Sequence, residues 1–121
     1  MNIASHGFAR EAVNVDELRA RCMGDTEMMR RVLLKFQDRF RTDLSELERG
    51  LEDGDMVTVT RAAHRLKGAS GNVSAPDLMG LASEIEQLGR TEETEEIPSR
   101  IKQLHVAWER FVDTVSTLEI S

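Results

Sequence analysis

The chain has a single cysteine, two prolines, no tyrosine and only 4% aromatic residues. One cysteine, Cys22, cannot form an intrachain disulfide, which is typical of a reducing compartment, and we expect it to be a buried helix residue. No apolar run approaches the roughly 20 residues of a membrane span. The first 13 residues also lack the continuous apolar core of a signal peptide. We therefore expect a cytoplasmic protein that does not bind membranes.

An excess of positive charge is also lacking. The 121 residues carry 16 Lys and Arg against 22 Asp and Glu, a formal net charge of −6. Proteins that bind nucleic acid need a basic surface for the phosphates, so nucleic acid is not expected as a partner. The length is that of one domain with a real hydrophobic core.

No stretch alternates like a β-strand, and the apolar period is helical almost throughout. We predict an all-α fold, an antiparallel up-down four-helix bundle with a short extra N-terminal helix. Residues 1–13 are predicted to be a loose lead-in, and residues 14–121 the bundle domain. The predicted helices are 15–23, 26–52, 56–72, 76–89 and 98–118.

The predicted boundaries rest on capping residues and on proline. Three polar side chains suit N-caps and two prolines suit the first helical turn: Asn14, Asp25, Asp55, Pro76 and Pro98. Gly89 is predicted to end the fourth helix. Residues 91–96 are predicted to form a solvated acidic loop.

Motifs for enzymatic or metal chemistry are missing too. His6, His64 and His105 are far apart in the chain, and no metal-binding histidine pair occurs at helical spacing. The predicted inward positions are almost all apolar, so we expect no metal and no cofactor. Neither a nucleophilic serine elbow nor a nucleotide-binding loop is present. His105 is expected to be structural or on the surface, and His6 is assigned no role.

The segment around His64 stands out. At 100° per residue, one face of the predicted third helix carries Val59, Ala62, Ala63, Leu66, Ser70 and Val73. The opposite, solvent-facing side carries His64, Lys67, Gly68 and Gly71. Each glycine costs a helix interior about 1 kcal/mol relative to alanine. Nothing in the fold requires that cost on a solvated face, but the close approach of a partner protein would explain it.

These residue types suit one chemistry in particular. Imidazole is a good nucleophile while neutral near pH 7. A phosphoryl group transferred to it brings about two negative charges, which an ammonium group one turn away would offset. His64 and Lys67 are therefore interpreted as a phosphoacceptor and its neighbouring cation.

Residues 63–75, AHRLKGASGNVSA, resemble the signature of histidine-containing phosphotransfer (HPt) domains, roughly A-H-x-L-K-G-[SA]-[SA]-x-x-[LV]-G-A. Val15, Asp16 and Leu18, the Gly24-Asp25 pair and Gly54-Asp55 extend the resemblance to about residues 14–118. The chain departs from the pattern at Ser74, where the family usually has glycine.

The resemblance implies a four-helix bundle that carries phosphate between receiver domains. His64 would accept the phosphoryl group from the Asp of one receiver and pass it to the Asp of another. Lys67 would lie near that group and Gly68 would permit docking. The Mg²⁺ and the acidic groups would belong to the receiver, and the chain would be a stoichiometric carrier, not an enzyme.

Some members of that family have Glu or Gln 22 residues after the histidine, where it orients the imidazole. The matching residue here is Glu86, although from the sequence alone it could equally be a surface residue. Arg61, Arg65, Gly68 and Gly71 are assigned to the partner-binding surface. We expect a monomer whose partners are receiver domains of response regulators or hybrid kinases. The alternative is a helical interaction module without phosphotransfer.

Overall fold

The computed structural model describes residues 11–118, and over that range it contains five α-helices and no β-strand. The helices are α1 (Val15–Arg21), α2 (Thr26–Glu52), α3 (Met56–Asn72), α4 (Pro76–Thr91) and α5 (Ile97–Ser116), with a 3-10 turn at Thr94–Glu96 before α5. Helix α3 packs against both α2 and α4, and α4 packs against α5. The predicted all-α four-helix bundle with a short N-terminal helix is confirmed. Between residues 11 and 118 no helix is long and apolar enough to cross a membrane.

The predicted helix starts are largely confirmed by the capping geometry. Three side chains each accept a hydrogen bond from the backbone N–H three residues later: Asn14 from Glu17, Asp25 from Met28, and Asp55 from Thr58. Such bonds satisfy N–H groups that have no partner within the helix. Pro76 is the first residue of α4, whereas Pro98 is the second residue of α5.

Gly89 does not end α4, and that prediction was wrong. The helix continues to Thr91 and is followed by the C-cap Glu92, which has a left-handed φ of 59°. Gly89 is buried, and a Cβ atom built on it would lie 2.5 Å from Oγ1 of Thr60 on α3. Gly89 therefore allows α3 and α4 to pack closely and does not terminate the helix. The predicted loop at 91–96 is also partly helical.

The core lies where the predicted apolar stripes meet. All six inward positions predicted for the third helix are buried, the last of them, Val73, just after the end of α3. The stripe predicted on α2 is half-buried at Val32 and buried at Met29, Leu33, Phe36, Phe40, Leu44 and Leu47. Helices α2 and α5 are joined by four aromatic rings, Phe36, Phe40, Trp108 and Phe111, with Trp108 stacked on Phe40 at a centroid distance of 4.1 Å. Cys22 is buried, as expected.

The core also includes two residues of the segment predicted to be a loose lead-in. Ala12 and Val13 are only 5% and 2% exposed. The backbone N–H of Asn14 donates to the carbonyl oxygen of Ser74 at 2.8 Å, which ties this segment to the α3–α4 turn. Packing therefore begins before residue 14. Residues 1–10, including His6, lie outside the described residues.

Ser74, the position where the sequence departs from the HPt pattern, adopts the conformation that glycine favours. Its φ is 59°, in the left-handed region. The residue is 5% exposed, and its Oγ has no hydrogen-bond partner in the structure. A residue with a Cβ pays about 1–2 kcal/mol in this region, and a buried hydroxyl without a partner adds to that cost.

We expect Ser74→Gly to raise the free energy of unfolding by about 1 kcal/mol and the melting temperature by about 3–6 °C. Ser74→Ala is the matched control, because it removes the hydroxyl but keeps the Cβ in the left-handed region. Thermal and denaturant unfolding of the three proteins would measure both contributions. Equal stability of the Gly and Ala variants would contradict the backbone argument.

Candidate functional site

His64 lies in the middle of α3, on the side of the helix that faces away from the core. Its side chain is 63% exposed. The adjacent Ala63 and the nearby Leu66 are fully buried in the opposite face. The placement predicted from the helical period is therefore what the structure shows, and an imidazole is accessible on the bundle surface.

The carboxylate of Glu86 on α4 is the centre of the site. Its side chain is only 4% exposed, so the alternative of a surface residue does not hold. Oε2 lies 2.8 Å from Nδ1 of His64 and 2.5 Å from Nη2 of Arg90. Oε1 lies 2.7 Å from Nζ of Lys67. One buried acid thus contacts three nitrogen-bearing side chains from two helices.

The charge state of Glu86 follows from these contacts. Burial is the largest single influence and raises the pKa of the carboxyl group, but hydrogen bonds from Lys67 and His64, together with the charges of Lys67 and Arg90, outweigh it. The pKa of Glu86 is therefore below its ordinary value, and the group is a carboxylate at neutral pH.

That charge state assigns the imidazole tautomer. A carboxylate has no proton to donate, so the contact with Nδ1 of His64 requires the proton to be on Nδ1. Nε2 of a neutral ring then carries the free lone pair. The contact with Glu86 therefore leaves Nε2 as the ring nitrogen with a free lone pair.

Lys67 and Arg90 are the two cations at this carboxylate. Lys67, with a 35% exposed side chain, was predicted beside His64, but its ammonium group binds Glu86. Arg90 was not predicted, although its position one turn after Glu86 on α4 is the sequence spacing at which an acid and a base meet on a helix. Its side chain is 59% exposed.

The two predicted partner-binding arginines differ in their surroundings. Arg61 is exposed and lines a shallow pocket together with His64, Glu86 and Arg90. Arg65 is directed towards α2, where Nε binds Oδ1 of the buried Asp43 at 3.2 Å and Nη2 binds Oε1 of Glu46 at 2.6 Å.

The two glycines of the motif also differ. A Cβ atom built on Gly68 would have no atom within 4 Å, so this residue faces open space, as predicted. Gly71 is half-buried, and a Cβ there would lie 3.1 Å from Sδ of Met79 on α4. The expectation that Gly71 lies on the open, solvent-facing side is not met, because α4 covers that side of the helix end.

A groove between α2 and α3 adjoins this surface. Its apolar lining consists of Val32, Phe36, Ala69 and Val73, and its charged lining includes the bases Lys35, Arg39 and Arg65 and the acids Asp38 and Asp43. His105 lies elsewhere and binds Glu48 of α2 through Nε2 at 2.8 Å. Within residues 11–118, no group of three or more His, Cys, Asp or Glu side chains is arranged to hold a metal ion.

Comparison with known proteins identifies the family of this bundle. Residues 31–117 match the family model of the Hpt domain, and the chain belongs to that family. Hpt domains are phosphotransfer carriers of two-component systems, and they interact with receiver domains. No curated protein and no solved structure gave a match.

The lowered pKa of Glu86 predicts a pH dependence of folding. A carboxyl group whose pKa is depressed in the folded state stabilises the protein above its unfolded pKa, here 4.5, and loses that contribution as the pH falls through the folded value. Glu86→Gln cannot titrate. As the pH falls from about 6 to about 3, we expect the unfolding free energy of wild type to decrease relative to that of Glu86→Gln. A difference that stays constant over this range in denaturant titrations would contradict the assignment.

Proposed function

We propose that the protein is a phosphohistidine carrier that accepts a phosphoryl group from the aspartate of one receiver domain onto Nε2 of His64 and passes it to the aspartate of another. The observation that carries the proposal is the 2.8 Å contact between Nδ1 of the exposed His64 and the buried Glu86. In this role the chain is a stoichiometric, monomeric intermediate in the cytoplasm and not a kinase.

The geometry supports a simple transfer step. The lone pair of Nε2 attacks the phosphorus of the receiver's aspartyl phosphate, an N–P bond forms, and the P–O bond to the aspartyl carboxyl group breaks. The receiver's carboxylate leaves with the electron pair. Because Nε2 carries no proton, none has to be removed, and the positive charge that the ring gains lies beside the carboxylate of Glu86. Delivery to the second receiver is the reverse reaction.

Lys67 supports the product of this step. It lies one turn from His64 on α3, and a lysine side chain is long and flexible enough to exchange one anion for another. Turning its ammonium group from Glu86 to the phosphoryl oxygens would offset their charge. For a partly exposed pair we expect this effect to be on the order of 1 kcal/mol.

Docking of a receiver is supported by the surroundings of His64. The open space over Gly68 leaves room for a partner's active site, and the adjoining groove between α2 and α3 offers apolar area with charged side chains of both signs. A receiver's active site is rich in acidic groups, so the exposed bases Arg61, beside His64, and Lys35, at the groove, suit its approach.

His64→Gln is expected to abolish phosphate uptake from a phosphorylated receiver while the bundle stays folded, because an exposed side chain leaves no cavity when it is replaced. Phosphate incorporation and thermal melting would be measured on the same protein. His105→Gln, which alters a histidine paired with Glu48, is the matched control and is expected to accept phosphate normally. Normal uptake by His64→Gln, or no uptake by wild type from any receiver tested, would favour a plain helical interaction module.

Gly68 tests the docking surface separately from the chemistry. On helix propensity alone, Gly68→Ala is expected to stabilise the free protein by up to about 1 kcal/mol. Gly68→Gln is expected to keep the fold but to slow transfer from a receiver at least tenfold, roughly the effect of 1.4 kcal/mol, because the side chain fills the space a partner needs. Phosphoramidate, a small donor that needs no docking, is the control. Unimpaired transfer from a receiver to Gly68→Gln would contradict the docking argument.

A further inference from the structure

The proposed transfer step requires a cation that stays beside the buried carboxylate of Glu86 while Lys67 serves the phosphoryl group. Lys67 binds Glu86 in this structure, with Nζ 2.7 Å from Oε1. When Lys67 turns to a phosphoryl group on His64, as in the proposed transfer step, its contact with that carboxylate is weakened or lost. Glu86 has a 4% exposed side chain, and a buried carboxylate that loses its counter-ion is strongly disfavoured unless another cation remains.

Arg90 is placed to be that remaining cation. Its Nη2 lies 2.5 Å from Oε2 of Glu86, the same oxygen that contacts Nδ1 of His64. Arg90 follows Glu86 by four residues on α4, so the helix itself keeps the two side chains adjacent whatever happens on α3.

We propose that Arg90 is a positioning residue for phosphotransfer, which retains Glu86 as a carboxylate against Nδ1 of His64 while Lys67 turns to the phosphoryl group. The proposal rests on the phosphocarrier function and adds to it a residue outside the sequence signature. Arg90 acts through Glu86 and does not touch the reacting atoms.

The other charged groups near Glu86 do not meet the same need. From α3, His64 and Lys67 contact it directly, and both change partner or charge during transfer. Arg61 and Arg65 line the same pocket. Arg65 is held by Asp43 and Glu46, and no hydrogen bond or ion pair joins Arg61 to Glu86 among the contacts of the described residues. Arg90 is thus the cation whose contact the transfer step leaves intact.

Arg90→Met keeps the aliphatic stem and removes the charge and the donors. We expect uptake of phosphate by His64 to slow about two- to fivefold, the effect of a partly exposed charge pair, with Arg90→Lys restoring most of the rate. The slowing is expected with phosphoramidate as well as with a phosphorylated receiver, since the effect is on His64 itself. Lys102→Met, an equal loss of charge at an exposed position on α5, is the matched control.

A double-mutant cycle separates action through Glu86 from direct contact with a receiver. If Arg90 acts through Glu86, Arg90→Met has no further effect in a Glu86→Gln background. An undiminished effect in that background, or an effect seen with the receiver but not with phosphoramidate, would overturn the proposal and make Arg90 a docking residue.

A spectroscopic measurement tests the same contact without any transfer. The carboxyl carbon of Glu86, followed by NMR during a pH titration, reports the pKa of that group, which the charge of Arg90 helps to lower. We expect Arg90→Met, but not Lys102→Met, to raise the pKa of Glu86. An unchanged titration would overturn the proposal.

The two proposals fail in different ways. If wild type accepts no phosphate from either donor, the phosphocarrier function is wrong. If wild type accepts phosphate and Arg90→Met accepts it at the same rate, the function stands and the role of Arg90 is wrong.

Discussion

The buried carboxylate of Glu86 is the constraint on which the site depends. An ionised group with a 4% exposed side chain is stable only when cations and donors surround it, and here His64, Lys67 and Arg90 do so. This requirement joins α3 to α4, fixes the tautomer of the imidazole and gathers positive charge on one surface of a protein whose net charge is −6. The chemistry of the site and the packing of the two helices therefore have a common cause.

The close approach of α3 and α4 makes that contact possible. Gly89 on α4 lies against Thr60 on α3 where a Cβ would not fit without a shift, and Gly71 on α3 lies close to Met79 on α4. Small side chains let two helices lie near each other, so that a glutamate on one reaches a histidine on the other. On the other side of α3, Arg65 binds the buried Asp43 and joins the same helix to α2. The helix that carries His64 is thus held from both sides by buried acids.

The sequence predicted most of this architecture, because apolar periodicity and capping residues are local signals. The bounds of α2 and α3 were predicted as 26–52 and 56–72, as the structure has them. The errors came from residues whose role depends on a neighbouring helix. Gly89 looks like a helix end but is a packing residue, and Gly71 looks solvent-facing but lies under Met79.

The part of the site that lies on one helix was predictable from local sequence signals, whereas the part on α4 was not. His64, Lys67 and Gly68 lie on one helix, and their spacing shows that they share a face. The contact of Glu86 with His64 depends on how two helices pack, so the residue was assigned only through the family resemblance. Arg90 was missed because an acid and a base four residues apart are common on helices, and nothing in the sequence shows that this acid is buried.

The open space above Gly68 bears on the lifetime of a phosphoryl group at this site. Because no part of the described chain covers His64, whose side chain is 63% exposed, the path that admits a partner also admits water. In the proposed function, no residue between 11 and 118 would cover a phosphoryl group on Nε2, so the stability of the N–P bond itself would largely set how long that group is stored. The charges of Glu86, Lys67 and Arg90 around the imidazole would then influence the lifetime of the phosphorylated form.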